Sequence, residues 1–177
     1  LIFSPHPDDD VISMGGTFAR LIDQGHEVHV AYQTSGNIAV TDEEGLKFIE
    51  VAENSFLKNQ GNTNQLEGLK KSFNSDSSET SKDILSVKAA VRRSECLAAA
   101  RFLKLPAEQL HFLNLPFYET GKIIKNEPSA VDFKITQDLI DEIKPHQIFA
   151  AGDLADPHGT HRACLNIIFK VIEDIKV

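Results

Sequence analysis

The first 33 residues do most to constrain the fold. Leu1-Ile2-Phe3-Ser4 is an apolar run of the kind that ends a buried strand. From Val11 to Gln24, apolar residues fall at Val11, Ile12, Met14, Phe18, Leu21 and Ile22, close to a helical period. Gly25 supplies a stop. Glu27 to Gln33 then alternates, with Val28, Val30 and Tyr32 on one side, which is strand patterning. A helix between two strands is the crossover that parallel pairing requires and a hairpin lacks. A right-handed βαβ unit is therefore predicted, with both strands parallel.

The rest of the chain repeats the alternation after an interruption. The stretch at about 36–83 is rich in Asn, Ser, Gln, Gly and charge, and its core candidates are sparse. Thr41-Asp42-Glu43-Glu44 opens a helix predicted to run to about Asn59, with Ile49, Ala52 and Phe56 inside. Asn62 to Lys82 reads as a polar loop. This region is expected to be an insertion over the active face of a single domain, not a second domain. A long helix is predicted over Ile84 to Leu105, a strand over Leu110 to Leu115, and a helix over Val131 to Lys144 that Pro145 stops. A buried strand follows at Gln147 to Ala151, and an amphipathic helix at His161 to Lys176. Alternating strands and helices imply an α/β domain with a mostly parallel sheet. Ligands of such sheets gather outside the carboxyl ends of the strands.

Composition narrows the function. A formal charge of -8 speaks against nucleic acid as a partner, because phosphate backbones select a basic face. No apolar run reaches the roughly 18 residues of a membrane span, and no stretch reads as a signal peptide. The two cysteines, Cys96 and Cys164, sit in apolar helical stretches without a Cys partner at metal spacing. A reducing, cytoplasmic setting is expected. The chain opens inside an apolar run and stops on a helical pattern, so it is expected to be a piece of something longer.

The chemistry-bearing residues cluster at strand ends. His6-Pro7-Asp8-Asp9-Asp10 follows the first strand directly. Asp153, Asp156, His158 and His161 follow the last one. Both groups are predicted at carboxyl ends, where they can meet in space. His6, one carboxylate of the acidic run and His161 make a two-imidazole, one-carboxylate set. Three protein ligands with an open position suit catalytic zinc, and iron(II) takes a similar set. A remaining acid can serve as general base toward water, and an unligated His can steady an oxyanion. Asp10 reads mainly as an acid at a helix N-terminus. His158 and His161 are three apart, the spacing of one helix face. His26, His29, His111 and His146 read as structural or solvated.

These residues resemble a known family. Pro5-His6-Pro7-Asp8-Asp9-Asp10 is similar to the His-Pro-Asp-Asp signature of the LmbE-like, or PIG-L, N-acetylglucosamine deacetylases. His158-Gly159-Thr160-His161 resembles that family's His-x-x-His motif. The run from Arg92 to Ala100 resembles its middle helix. Leu113 to Gly121 resembles the segment leading into its substrate site. The likeness spans nearly the whole chain outside the insertion.

The resemblance implies a Rossmann-like three-layer α/β domain and a zinc-dependent N-deacetylase, an amide hydrolase acting on an N-acetylated amino sugar. It implies His6, Asp9 and His161 as metal ligands, with Zn2+ or another divalent ion such as Fe2+. It implies Asp8 as general base and His158 as the group that stabilises the tetrahedral intermediate. Arg92 or Arg93 would contact substrate, and Glu119 would bind sugar hydroxyls.

Two positions depart from the family's pattern. Thr160 stands where an Asp usually orients the first His of the pair, a role Asp156 or Asp153 could take. Asp10 stands where a Glu is usual. The chain looks most like the LmbE-like portion of bipartite proteins whose other portion resembles glucosamine-6-phosphate deaminase. Two alternatives follow: an accessory domain of such a deaminase, or a non-catalytic carbohydrate-binding module.

Overall fold

Alternation in the strands sorts the core into two layers around one sheet. In a computed structural model that describes residues 1–57, 64–73, 81–153 and 155–175, the strands are β1 (Ile2–Ser4), β2 (Val30–Tyr32), β3 (Leu110–Phe112) and β4 (Phe149–Ala150). All pair in parallel, in the order β3-β2-β1-β4. Ile2 stands opposite Val30 on one side and Phe149 on the other, and Val30 stands opposite Leu110. The helices are α1 (Asp9–Asp23), α2 (Asp42–Ala52), α3 (Asn64–Phe73), α4 (Lys82–Phe102), α5 (Ala130–Ile143) and α6 (Thr160–Ile175).

The chain divides into two compact units, Leu1–Ser35 with Glu95–Val177, and Gly36–Ser94. The first unit holds the sheet. Successive strand residues point to opposite faces. Ile2, Val30 and Tyr32 pack on one face with Phe18 of α1 and Cys96 and Ala100 of α4. Phe3 and Ala31 pack on the other with Leu139 and Ile140 of α5 and Ile168 and Val171 of α6. This is the expected α/β sandwich, three layers deep around a parallel sheet. Both cysteines are buried, and neither forms a disulfide.

Local signals set the helix ends. Gly25, at φ 80°, follows α1, and its N–H closes on the Ile22 carbonyl. Helix α1 also kinks at Met14, just before Gly15-Gly16, where helix propensity is low. Helix α5 opens with a capping box: Ser129 and Asp132 exchange side-chain and backbone bonds. It closes at Lys144 in the left-handed region, ahead of Pro145.

In the second unit, the Thr41 hydroxyl accepts the Glu44 N–H at 3.1 Å and caps α2. Helix α2 ends at Ala52 and passes into one π-helical turn, Glu53–Leu57. The expected continuation to Asn59, and the Phe56 side chain, lie outside the described residues. The polar loop expected over 62–82 is corrected by α3. Leu66, Leu69 and Phe73 have helical spacing there, though polar neighbours swamp the signal. Phe73 covers Gly45 so closely that a Cβ at Gly45 would meet its ring at 2.9 Å. Lys88 pairs with Asp42 at 2.7 Å, and Lys70 with Glu53. Among the described residues, no helix is long and apolar enough to cross a membrane.

Candidate metal centre

The turn after β1 is pinned from its own flanks. The Ser4 hydroxyl donates to the His6 carbonyl at 2.5 Å and accepts the Asp10 N–H at 3.0 Å. Thr34, just beyond β2, holds the Pro5 carbonyl through its hydroxyl at 2.7 Å and its N–H at 3.1 Å. Asp8 sits immediately before α1 at φ 137° and ψ -25°, a backbone region that side chains rarely adopt. Its carbonyl receives the N–H groups of Val11 and Ile12. Asp9 turns back, and its Oδ2 accepts the His6 N–H at 2.8 Å.

The second half of the site hangs on Asp156, before α6. Its Oδ1 accepts the His158 N–H at 3.1 Å and its Oδ2 the His161 N–H at 3.0 Å. Burial pushes this carboxyl up, but the two backbone donors and the nearby imidazoles outweigh it and hold it below its ordinary value. Gly159, at φ 70°, gives the turn that lets one carboxylate reach both N–H groups.

These two turns bring three ligand atoms together. His6 Nδ1 and His161 Nε2 are 3.2 Å apart, and each lies 3.3 Å from Asp9 Oδ2. Tetrahedral coordination with bonds of about 2.0–2.1 Å sets its ligand atoms about 3.3–3.4 Å apart. The three atoms thus have the spacing of one tetrahedral face and could hold a divalent ion. The side chains are 22%, 15% and 17% exposed for His6, Asp9 and His161, sheltered yet reachable. Burial raises the Asp9 carboxyl, but the His6 ring, the His6 N–H and the His161 charge bring it below its ordinary value. A 460 Å³ cavity lined by Asp9, Asp153 and His161 opens beside them.

Strand order explains the meeting. β1 lies between β2 and β4, so the turns after β1 and β4 are neighbours. The chain runs outward from β1 to β2 on one side and returns to β4 on the other, which makes this crevice the switch point of the sheet.

Other predicted residues stand around the triad. Asp8 is half-buried, one residue from Asp9. His158 is exposed in the turn before α6, and His161 is the second residue of the helix. The two therefore do not share a helix face, in keeping with the helix predicted from His161 onward. His158 lines a second cavity of 520 Å³ with Phe117, Lys125 and Arg162. Glu119 accepts the Ser35 N–H and hydroxyl, both at 3.0 Å, and so ties the loop after β3 to the end of β2. Arg92 and Arg93 lie on α4 within the second unit, Arg92 half-buried and Arg93 exposed.

Asp10 stands in the first turn of α1 as expected, but it is also buried. It accepts the Tyr32 hydroxyl at 2.9 Å. Burial raises its carboxyl above the usual range despite that donor. Of the two acids that could replace the family's orienting Asp, Asp156 is engaged by backbone N–H groups. Asp153 faces His161 rather than His158, with its Oδ2 at 3.9 Å from His161 Nδ1.

Sequence reasoning gave no role to Tyr118, whose buried ring meets His6 edge-on at 5.7 Å. Lys125 lies over the same ring at 5.1 Å. Only the position of Tyr118 beside Glu119 hinted at the site.

Comparison with known proteins places this geometry. The family model described as PIG-L, GlcNAc-PI de-N-acetylase, matches residues 1–172. The chain belongs to the PIG-L family. The family's description names a de-N-acetylase reaction. A relative from Bacteroides thetaiotaomicron, described as a putative glucosamine-6-phosphate deaminase-like protein, is 51% identical over 181 residues. The match covers 98% of this chain and 27% of the relative. This PIG-L domain thus spans about a quarter of the length of the curated relative it matches.

Proposed function

We propose that this domain is a metal-dependent hydrolase that removes the acetyl group from an N-acetylated amino sugar. One observation carries the reading: the triangle of His6 Nδ1, Asp9 Oδ2 and His161 Nε2, with edges of 3.2–3.3 Å. His6, Asp9 and His161 hold the ion, zinc or another divalent metal such as iron(II). A bound ion supplies Lewis acidity toward the carbonyl and lowers the pKa of water.

The remaining work falls to protein groups. Asp8 takes a proton from the attacking water and returns it to the leaving amine, so that acetate and a free amine result. Its strained backbone, between a pinned turn and the first turn of α1, keeps that carboxylate in place. His158 donates a hydrogen bond to the carbonyl oxygen as negative charge develops there. Glu119 contacts the sugar. The chain is a single α/β domain with a polar insertion at about 36–83, it works in the cytoplasm, and it forms part of a longer protein with a deaminase-like portion.

The test is metal content paired with acetate release from N-acetylglucosamine and its 6-phosphate, repeated on Asp8→Ala and His161→Ala. About one ion per chain, with activity lost in both variants and metal lost only in His161→Ala, is the expected result. Full turnover by Asp8→Ala would remove its role. A folded protein that binds no divalent ion after zinc is added back would leave the carbohydrate-binding module as the better reading.

A further inference from the structure

We propose that Asp153 is a positioning residue for His161: it accepts the Nδ1–H that remains when His161 Nε2 turns to the metal. This rests on the metal-site reading above. His161 Nδ1 is a buried nitrogen with no hydrogen-bond partner. Its sister atom Nε2 faces His6 and Asp9. An imidazole that gives Nε2 to a metal carries its proton on Nδ1, and a buried N–H without an acceptor is unfavourable. The ring therefore calls for an acceptor on its far side.

Asp153 offers one close by. Its two oxygens are divided. Oδ1 accepts the Ala155 N–H at 3.1 Å, which fixes the carboxylate on its own turn. Oδ2 is left toward His161 Nδ1 at 3.9 Å. That gap is about 1 Å longer than an N–H···O bond. Asp153 stands on the turn after β4 with its side chain 58% exposed, so packing does not oppose the closing movement. Both residues line the same 460 Å³ cavity. The other nearby acid is engaged, because both Asp156 oxygens receive backbone N–H groups. A carboxylate behind a ligating His fixes its tautomer and raises its basicity, and loss of such a group typically weakens metal binding about 10- to 100-fold.

The substitution that separates the roles is Asp153→Asn. It is isosteric, but an amide has one acceptor oxygen where the carboxylate has two. Held as the carboxylate is, with Ala155 and His161 on different oxygens, it turns an acceptor to one of them and an NH2 group to the other. The experiment titrates zinc into the metal-free chain against a chromophoric chelator, for the native protein, Asp153→Asn, Asp153→Ala, Asp153→Glu and His161→Ala. Nitrogen NMR of the zinc-loaded histidines is recorded alongside.

Zinc affinity is expected to fall about 10- to 100-fold in the Asn and Ala variants and to recover largely in Glu. The His161 Nδ1 proton is expected downfield and slow to exchange in the native protein, and to lose both properties in Asp153→Ala. Native affinity in both Asp153→Asn and Asp153→Ala, with His161→Ala still losing zinc, would overturn the inference and leave the metal site standing. A native chain that binds no zinc would overturn both.

Discussion

His6 Nδ1 and His161 Nε2 lie 3.2 Å apart across 155 residues of sequence, and Asp9 Oδ2 completes the triangle with each. Two ring nitrogens and a carboxylate oxygen at that spacing can each turn a lone pair to one shared cation. A cation between them satisfies all three. The first expected outcome concerns stability. Zinc at about 100 times its dissociation constant should stabilise the chain by about 2.7 kcal/mol, and a chelator should remove that gain. Thermal melts with and without EDTA measure it. In His161→Ala the two melts should coincide.

The backbone at Asp8 makes a second case. Its φ of 137° is unfavourable for any residue with a Cβ. Asp8→Ala and Asp8→Gly both delete the carboxylate, so their difference isolates the backbone. The glycine variant should be the more stable of the two by about 1 kcal/mol, and both should be inactive. Equal unfolding midpoints in urea would show that the local conformation stores no strain.

The buried pair of Asp10 and Tyr32 supports the same turn. The Tyr32 hydroxyl donates to a carboxylate that burial already disfavours. Tyr32→Phe removes that donor and should destabilise the fold by about 1–3 kcal/mol. Acetate release at a temperature where both proteins are folded should fall much less than in Asp8→Ala. Urea titration and an initial-rate assay check the two parts.

A pH effect is expected at the opposite end of the strands. His111 Nε2 and His29 Nδ1 are 2.9 Å apart, with their rings stacked. Burial first, then the His29 charge, push His111 below its ordinary 6.5. Below 6.5 the unfolded chain binds more protons at this residue than the folded one, so folding stability rises with pH through the window under 6.5. The penalty is complete below the folded pKa and absent above 6.5. The melting temperature of the native chain minus that of His111→Asn should therefore be larger at about pH 7.5 than at about pH 5. A difference that stays constant would mean that His111 titrates alike in both states.

Much of the architecture was legible because it is local. Apolar spacing marked α1, α4, α5 and α6, and alternation marked β2. Gly25 and Pro145 acted on their immediate neighbours. Helix α3 escaped notice because three apolar residues among polar ones give a weak stripe, which Phe73 makes effective by packing on Gly45. The site's chemistry was legible too, since two histidines and several acids next to strand ends have no place in an apolar core.

The sequence by itself thus determined the alternation of strands and helices, and the residue types available at strand ends. Only the tertiary structure decided that β4 lies against β1, that His161 therefore reaches His6 and Asp9, and that Asp153 faces His161 rather than His158. The reason is physical. Periodicity and capping act over a few residues and leave their mark in the order of the chain. Strand order and the meeting of distant side chains follow from how whole layers pack, and no short stretch of sequence records that.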